Sequence, residues 1–262
     1  MKKNLSVNVY GGLGNNLFQI ATGFATSLKY DMDFCADTSN YHGGKNGIFF
    51  YKKNILRNVQ FCTNPHYVEI YGEQGHNFHE IPKLIDDTKI NGYFQTEKYF
   101  MEYRKEVIEL FKPTEETKSK IEEKYGYILN NTTTSVHIRR GDYLHLTEHY
   151  ANLDMDYFNK AFDIIGNKNT FLIFSDEIDW CKNNFRHLEN VFFVDDLEDF
   201  ESLHLMSYCN NNIISNSTFG WWGAWLNENS KKIVIGPKEW FGINLSQFLK
   251  TDDIICDTWI KI

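Results

Sequence analysis

The sequence predicts an α/β fold built on parallel sheets, and three observations predict it. The second half alternates apolar strand-like runs with helical patterns, which implies parallel strands joined by helices on both faces. Its strands, such as Phe171-Leu172-Ile173-Phe174, are apolar throughout, as strands covered on both sides are. The chain also opens with a strand-like run, a glycine-rich turn and a helical pattern in succession.

Taken in order, Leu5 to Tyr10 alternates and reads as a strand. Gly11-Gly12-Leu13-Gly14-Asn15-Asn16 follows, and then a helix with Leu17, Ile20, Ala21, Phe24, Ala25 and Leu28 on one face. From Cys35 to Tyr103 the pattern is weak, with short aromatic runs and turns such as Asn91-Gly92-Tyr93-Phe94. Glu102 to Phe111 reads as a helix that stops before Pro113, and Thr114-Glu115-Glu116-Thr117 opens another to about Tyr125. The polar run 130–134 is unpatterned and marks a domain boundary, giving domains 1–130 and 131–262. Beyond it, strands are expected at Ser135–Arg139, Thr170–Phe174, Val191–Val194, Asn212–Ile214 and Lys232–Ile235. Helices are expected at Asp154–Ile165, Glu177–Asn184, Asp199–Cys209 and Ser217–Leu226.

The 262 residues suffice for one large domain or two small ones. The net charge of −8 argues against nonspecific nucleic-acid binding and against a polybasic membrane dock. Aromatic residues reach 16%, which serves a core as readily as a surface that stacks on sugar rings. The five cysteines, Cys35, Cys62, Cys181, Cys209 and Cys256, are odd in number and lack C-x-x-C spacing. Neither a disulfide framework nor a zinc site is expected, and a reducing compartment is. The run from Met1 makes a poor signal peptide, and no stretch of about 18 apolar residues occurs. The chain is therefore expected to be soluble and cytoplasmic.

Open parallel sheets bind ligands beyond the carboxyl ends of their strands. Four strand exits in the second half are polar: Arg139-Arg140-Gly141-Asp142, Ser175-Asp176, Asp195-Asp196 and Ser215-Asn216-Ser217-Thr218. In a parallel sheet they share one rim. Ser217 and Thr218 would begin a helix whose free N–H groups attract an anion, though plain helix capping accounts for them as well. Arg139 and Arg140 are adjacent on a strand, so their side chains point to opposite sides and one readily reaches the rim. A guanidinium suits a diphosphate, but a surface ion pair is the commoner fate of an arginine. The N-terminal glycines fall short of G-x-G-x-x-G because position 17 is Leu, and no acid-ended second strand is apparent, so a nicotinamide site is not supported. Trp221, Trp222 and Trp225 read as helix core packing.

Three segments together resemble the α-1,2-fucosyltransferase family, which shares features with α-1,6- and protein O-fucosyltransferases. They are Gly11-Gly12-Leu13-Gly14-Asn15-Asn16-Leu17-Phe18-Gln19, His137-Ile138-Arg139-Arg140-Gly141-Asp142-Tyr143, and Ser215-Asn216-Ser217-Thr218-Phe219-Gly220-Trp221-Trp222-Gly223-Ala224-Trp225-Leu226. Phe174-Ser175-Asp176 with Trp180-Cys181 resembles a further family segment. The resemblance implies a GT-B-like fold of two Rossmann-like halves facing a central cleft. It also implies metal-independent, inverting transfer of L-fucose from GDP-fucose to the 2-hydroxyl of a terminal galactose, with no cofactor beyond the donor. GDP-fucose would lie on the C-terminal half and the acceptor toward the N-terminal half.

By match to the motifs, Arg139 would hold the diphosphate and His137 would lie near the nucleotide. Ser217, Thr218 and Phe219 would wrap the phosphate and base. Asn15, beside Gly14, would sit near the transferred sugar, and Arg140, Asp176 and Asn216 would complete the substrate-binding set. An acid upstream of the Ser-Thr-Phe segment would read guanine, with Glu201 the choice here over Asp199. For the base, Asp142 is chosen over Glu148 and His149, its alternative role being to orient an arginine. Two positions depart from the pattern: Asn16 stands where relatives commonly carry Gln, and Gly220 where many carry Ser. Another nucleotide-sugar transferase and a non-catalytic glycan-binding module are the rival readings. The acceptor's identity and the oligomeric state are not legible.

Overall fold

A computed structural model of the protein describes residues 3–42, 47–146, 148–166, 168–186 and 188–262. The chain forms two compact units, one of Met1–Thr114 with Lys250–Cys256, the other of Glu115–Leu249 with Asp257–Ile262. The boundary expected near residue 130 thus falls before the helix that precedes it.

The first unit contains β1 (Lys3–Asn8), α1 (Leu13–Tyr30), β2 (Met32–Asp37), α2 (Gly47–Tyr51), β3 (Phe61–Cys62), β4 (Glu69–Gly72), β5 (Thr88–Asn91) and α3 (Arg104–Leu110). Its five strands are all parallel, in the order β3-β2-β1-β5-β4. Val7 and Leu5 of β1 are buried beneath α1, whose Leu17, Ile20 and Ala21 are buried in turn. The helix approaches closely because Gly23 carries no side chain: a Cβ there would lie 2.5 Å from the Phe34 ring and 3.0 Å from Val7 Cβ.

Two expectations change in this unit. Cys35 and Cys62 are joined by a disulfide that ties β2 to β3, with their Cα atoms 5.8 Å apart. Parallel pairing of those short strands sets them side by side, which their separation in sequence did not suggest. In addition, β2 does end in an acid, Asp37. Its side chain is buried against Lys89 at 2.7 Å and accepts from Ser39. Burial alone would raise its carboxyl, but Lys89 and Ser39 together hold it below the ordinary value. Asp37 is thereby committed to the core and not presented to a ribose.

The second unit contains α4 (Glu115–Leu129), β6 (Thr133–Ile138), α5 (Met155–Ile165), β7 (Thr170–Ser175), α6 (Ile178–Phe185), β8 (Val191–Val194) and α7 (Asp199–Tyr208). It continues with β9 (Asn211–Ile213), α8 (Thr218–Trp225), β10 (Val234–Gly236), α9 (Ile243–Ser246) and β11 (Ile260–Lys261). The strand order is β11-β10-β9-β6-β7-β8, all parallel. In order of appearance this is the doubly wound 6-5-4-1-2-3 arrangement. Val136, Ile138, Phe171 and Ile173 of the central strands pack with Phe158, Ala161 and Phe185 of the helices. Asp154 caps α5, accepting from Tyr157 N at 3.2 Å, as its sequence position suggests. Trp221, Trp222 and Trp225 are fully buried; Trp221 and Trp225 stack, Trp222 meets both edge-on, and Trp221 also packs against Trp259, which fits the core reading. α4 joins this unit through Lys120, 2.6 Å from Glu201, and Lys124, 2.6 Å from Asp196. Among the described residues no helix is long and apolar enough to cross a membrane.

Candidate functional site

In the second sheet the chain runs from β6 outward to β8, then returns to the other side of β6 as β9. Between β6 and β9 the connections leave in opposite directions, opening a crevice beyond their carboxyl ends. Val136 pairs with Ile213 across these strands, so the exits Arg139–Asp142 and Ser215–Thr218 are neighbours. His137 and Ser215 join the two exits, with the imidazole Nδ1 2.9 Å from Ser215 Oγ. Burial, with help from the Arg139 charge, pushes His137 down to about 3. The imidazole is therefore neutral at pH 7 and acts as a hydrogen-bonding spacer, its ring 5.5 Å from that of Phe219.

Arg139 is half-buried and held by two carboxylates, Asp142 at 2.6 Å and Asp176 at 2.9 Å. A guanidinium has five N–H donors, so these contacts orient the fork and leave donors for an anion. Asp176 also accepts from Arg140 N at 3.0 Å, which ties the β7 exit to the β6 exit. Gly141 permits that contact, since a Cβ there would meet Asp176 Oδ2 at 2.5 Å. Arg140 points elsewhere: its guanidinium lies 3.6 Å from the Trp180 ring centroid and pairs with Glu177 at 3.1 Å. Of the two adjacent arginines, Arg139 lies between Asp142 and Asp176, while Arg140 is taken up by Trp180 and Glu177.

Ser217 is the N-cap of α8 and has extended backbone, yet its side chain makes no cap hydrogen bond. The first N–H groups of α8 are thereby left uncapped at the crevice, where the helix dipole favours negative charge. Gly220 faces His137: a Cβ at that position would lie 2.6 Å from Nδ1. The departure from Ser at this position leaves room for the imidazole beside the helix.

Two expected ligand-binding residues, Asn216 and Glu201, have structural duties. Asn216 is buried and donates to Ala151 O and Trp240 O, both at 2.9 Å, which tethers the rim loops. Glu201 is buried, pairs with Lys120 and closes a capping box with Glu198 at the start of α7. At the β8 exit, Asp195 pairs with Lys182 at 2.6 Å, while Asp196 accepts from Lys124 and Tyr125.

In the first unit, Gly11 turns the chain with φ +82° and leaves room for Asn15, whose Nδ2 a Cβ at residue 11 would meet at 2.9 Å. Gly14 is buried in the first turn of α1. Asn15 Oδ1 accepts from Gln95 Nε2 at 3.0 Å, and Asn16 donates to Tyr10 O at 2.9 Å. Sequence reasoning missed Glu73, just past β4, whose carboxylate accepts from Tyr93 N at 2.7 Å and Phe94 N at 2.8 Å. Burial pushes it up to about 7 against the pull of those two N–H groups. Nothing in Tyr71-Gly72-Glu73-Gln74-Gly75 marks it as other than a polar turn residue.

Residues 48–262 match the model of glycosyl transferase family 11. The chain is 30% identical to the O-antigen biosynthesis glycosyltransferase WbnK of Escherichia coli, over 96% of this chain and 98% of that protein. It is 29% identical to an α-1,2-colitosyltransferase of Escherichia coli, over 96% of each. Among solved structures it resembles the fucosyltransferase NodZ from Bradyrhizobium, with a TM-score of 0.55, 11% identity, and coverage of 85% of this chain and 92% of that one; a structure of NodZ soaked with GDP-fucose gives the same TM-score at 12% identity, over 86% of this chain and 93% of that one. At such identity the likeness is one of fold, and it is GT-B-like with parallel sheets, as the sequence motifs implied. By its family match across most of its length, the chain belongs to glycosyl transferase family 11 and is a glycosyltransferase.

Proposed function

We propose that the protein transfers L-fucose from GDP-β-L-fucose, with inversion and without a metal, to the 2-hydroxyl of a terminal galactose on a glycan. The observation that carries the donor site is the convergence of Arg139 and the uncapped start of α8 at the β6–β9 crevice. As the bond from fucose C1 to the β-phosphate oxygen breaks, charge gathers on GDP. A preorganised guanidinium and helix N–H groups stabilise that charge without reorganising. Asp142 and Asp176 fix the guanidinium, and neutral His137 sets the spacing of the two strand exits. The rim carboxylates are each engaged by a cation, which favours arginine over a metal as the counter-charge. The sequence motifs and a GDP-fucose-soaked neighbour of like fold support fucose.

A second reading is favoured by the colitosyltransferase relative. Colitose is fucose without its 3-hydroxyl, and the same crevice would hold its GDP ester. Incubation with GDP-fucose, GDP-colitose, GDP-mannose and UDP-galactose, each with a panel of β-galactosides and with or without EDTA, separates these readings. The proposal expects an α-1,2-linked fucosyl product, undiminished by EDTA; transfer from another donor only, or sugar binding with no release of nucleotide, refutes it. We place the reaction in the cytoplasm, where Cys181, Cys209 and Cys256 would remain thiols. The Cys35–Cys62 bond weighs against that placement, and thiol labelling of the protein in cell extract decides it.

A further inference from the structure

At one edge of the first sheet, β3 consists of two residues, Phe61 and Cys62. Ala36 N donates to Gln60 O at 2.8 Å and Thr38 N to Cys62 O at 3.1 Å, binding this segment to β2. An edge strand with so few backbone bonds opens easily, and the Cys35–Cys62 bond is the covalent tie across the pair. Of the five cysteines these two are half-buried, whereas Cys181, Cys209 and Cys256 are buried thiols. The bonded sulfurs are thus the ones within reach of a reactant, and access governs thiol–disulfide chemistry. Cys35 and Cys62 also line an open cavity of about 580 Å³, together with Gln60 and His66. Asp33 and Asp87 face the same space, so an uncharged dithiol enters it more readily than an anionic thiol.

What the bond anchors lies further along the chain. The Thr38 hydroxyl donates to Cys62 O at 3.4 Å, and Asn64 N donates to Ser39 Oγ. Ser39 is fixed in turn on Asp37. Tyr41 N donates to Thr38 O at 3.2 Å, and the Tyr41 hydroxyl donates to Gly11 O at 3.4 Å. His42 O accepts from Gly11 N at 2.8 Å, and its ring stacks with Tyr10 at 6.0 Å. A continuous series of hydrogen bonds therefore runs from Cys62 through residues 38–42 to the glycine-rich turn, all within the first unit. Gly11 holds φ +82° there, and Gly12 at the N-cap of α1 offers no side chain to brace the turn.

We propose that Cys35–Cys62 is a reversible thiol–disulfide exchange site, and that its state sets the order of the glycine-rich turn and the rate of the enzyme. The link to rate rests on the fucosyl-transfer reading; the link to order does not. The reactant is an uncharged dithiol. One of its sulfurs, as thiolate, attacks a sulfur of the pair, forms a mixed disulfide and displaces the other cysteine as a thiolate, which takes a proton. The second sulfur of the reactant then closes its own disulfide, and the remaining cysteine leaves and is protonated. Two electrons pass from the dithiol to the protein, and an oxidising disulfide reverses the step. With the bond open, β3 is held by hydrogen bonds alone, and the support for residues 38–42 and Gly11 loosens.

The test uses the full-length protein, purified without reductant and equilibrated with graded ratios of reduced to oxidised dithiothreitol. Iodoacetamide labelling and peptide mass spectrometry report Cys35 and Cys62. Amide hydrogen exchange reads residues 9–16 and 38–42, and transfer from GDP-fucose to a β-galactoside reads the rate. Cys35 and Cys62 should become labelled together in the native protein, with Cys181, Cys209 and Cys256 unlabelled. Exchange in both segments should rise, and the rate fall, by at least about fivefold, and both should return on reoxidation. The Cys35→Ser, Cys62→Ser double variant should show the reduced values at every ratio; should it not fold, the wild-type titration alone decides. The inference is overturned if the two cysteines stay thiols under oxidising conditions, if dithiothreitol opens their bond only in denaturant, or if exchange or rate ignores its opening. A wild type that transfers nothing from GDP-fucose in either state refutes the functional reading, and labelling and exchange then decide the switch. An active enzyme whose turn and rate are indifferent to the bond refutes this inference alone.

Discussion

Replacing Arg139 by Ala removes the guanidinium that the proposed function assigns to the donor phosphates. Losing a preorganised donor that stabilises leaving-group charge costs about 2.7–4 kcal/mol, a factor of 10²–10³ in kcat. The structure adds a second cost. Arg139 neutralises Asp142 and Asp176, and without it two carboxylates face an anionic donor. Each uncompensated charge repels by about 1 kcal/mol at solvent-accessible separations, so the total loss approaches about 10⁴. Adding Asp142→Asn should then recover roughly fivefold over Arg139→Ala alone, by removing one of the two exposed anions. If Asp142 were the base, the double variant would instead be worse than the single one. Folding stability should fall by no more than about 1 kcal/mol, because the ion pairs are partly exposed. The assay is GDP release under saturating acceptor, with urea denaturation as the control. A single variant within threefold of wild type, with donor affinity unchanged, would refute the reasoning.

Gly220→Ala places a methyl 2.6 Å from His137 Nδ1 and should cost about 1–3 kcal/mol of stability from overpacking; unchanged urea midpoints would contradict the packing described. His137 is held neutral by burial, with a folded value of about 3 against an ordinary 6.5. The folded state therefore binds fewer protons than the unfolded chain as pH falls from 6.5 to 3. Stability is lost across that window, by up to about 5 kcal/mol, and His137→Gln should flatten the slope seen in pH-dependent denaturation. Glu73 has the opposite sign. Its raised value means that the folded state binds more protons between 4.5 and about 7, so its contribution to stability declines as pH rises through that range, and Glu73→Gln should remove the decline. Cys35→Ser opens a link between residues 27 apart and should cost about 3 kcal/mol. It should also abolish any effect of dithiothreitol on the thermal midpoint; an identical midpoint in wild type and variant under oxidising conditions would contradict it.

The second unit was legible because strands alternate with helices, β7 is apolar along most of its length, and α5 carries a start signal at Asp154. Strand ends in such a sheet locate a rim without knowledge of tertiary contacts, and there Arg139 pairs with Asp176 and His137 with Ser215. What sequence could not apportion is which polar residue is already occupied. Asn216 and Glu201 look like ligands in a motif but are consumed by Trp240 O and Lys120, partners 24 and 81 residues away. The first unit was harder because β3, β4 and β5 are only two to four residues long. Such strands are defined by their neighbours and not by an internal period. The pairing of Cys35 with Cys62 and the seat of Glu73 beneath residues 93 and 94 both depend on that long-range pairing.

In the proposed function one pyrophosphate is held jointly by Arg139 and the amino end of α8. A crystal structure of the protein with GDP tests this most directly. It should show the β-phosphate within hydrogen-bonding distance of the Arg139 guanidinium and of the Thr218 or Phe219 N–H, with Asp142 and Asp176 still on the arginine. GDP bound with its phosphates away from the β6–β9 crevice, and Arg139 untouched, would contradict it.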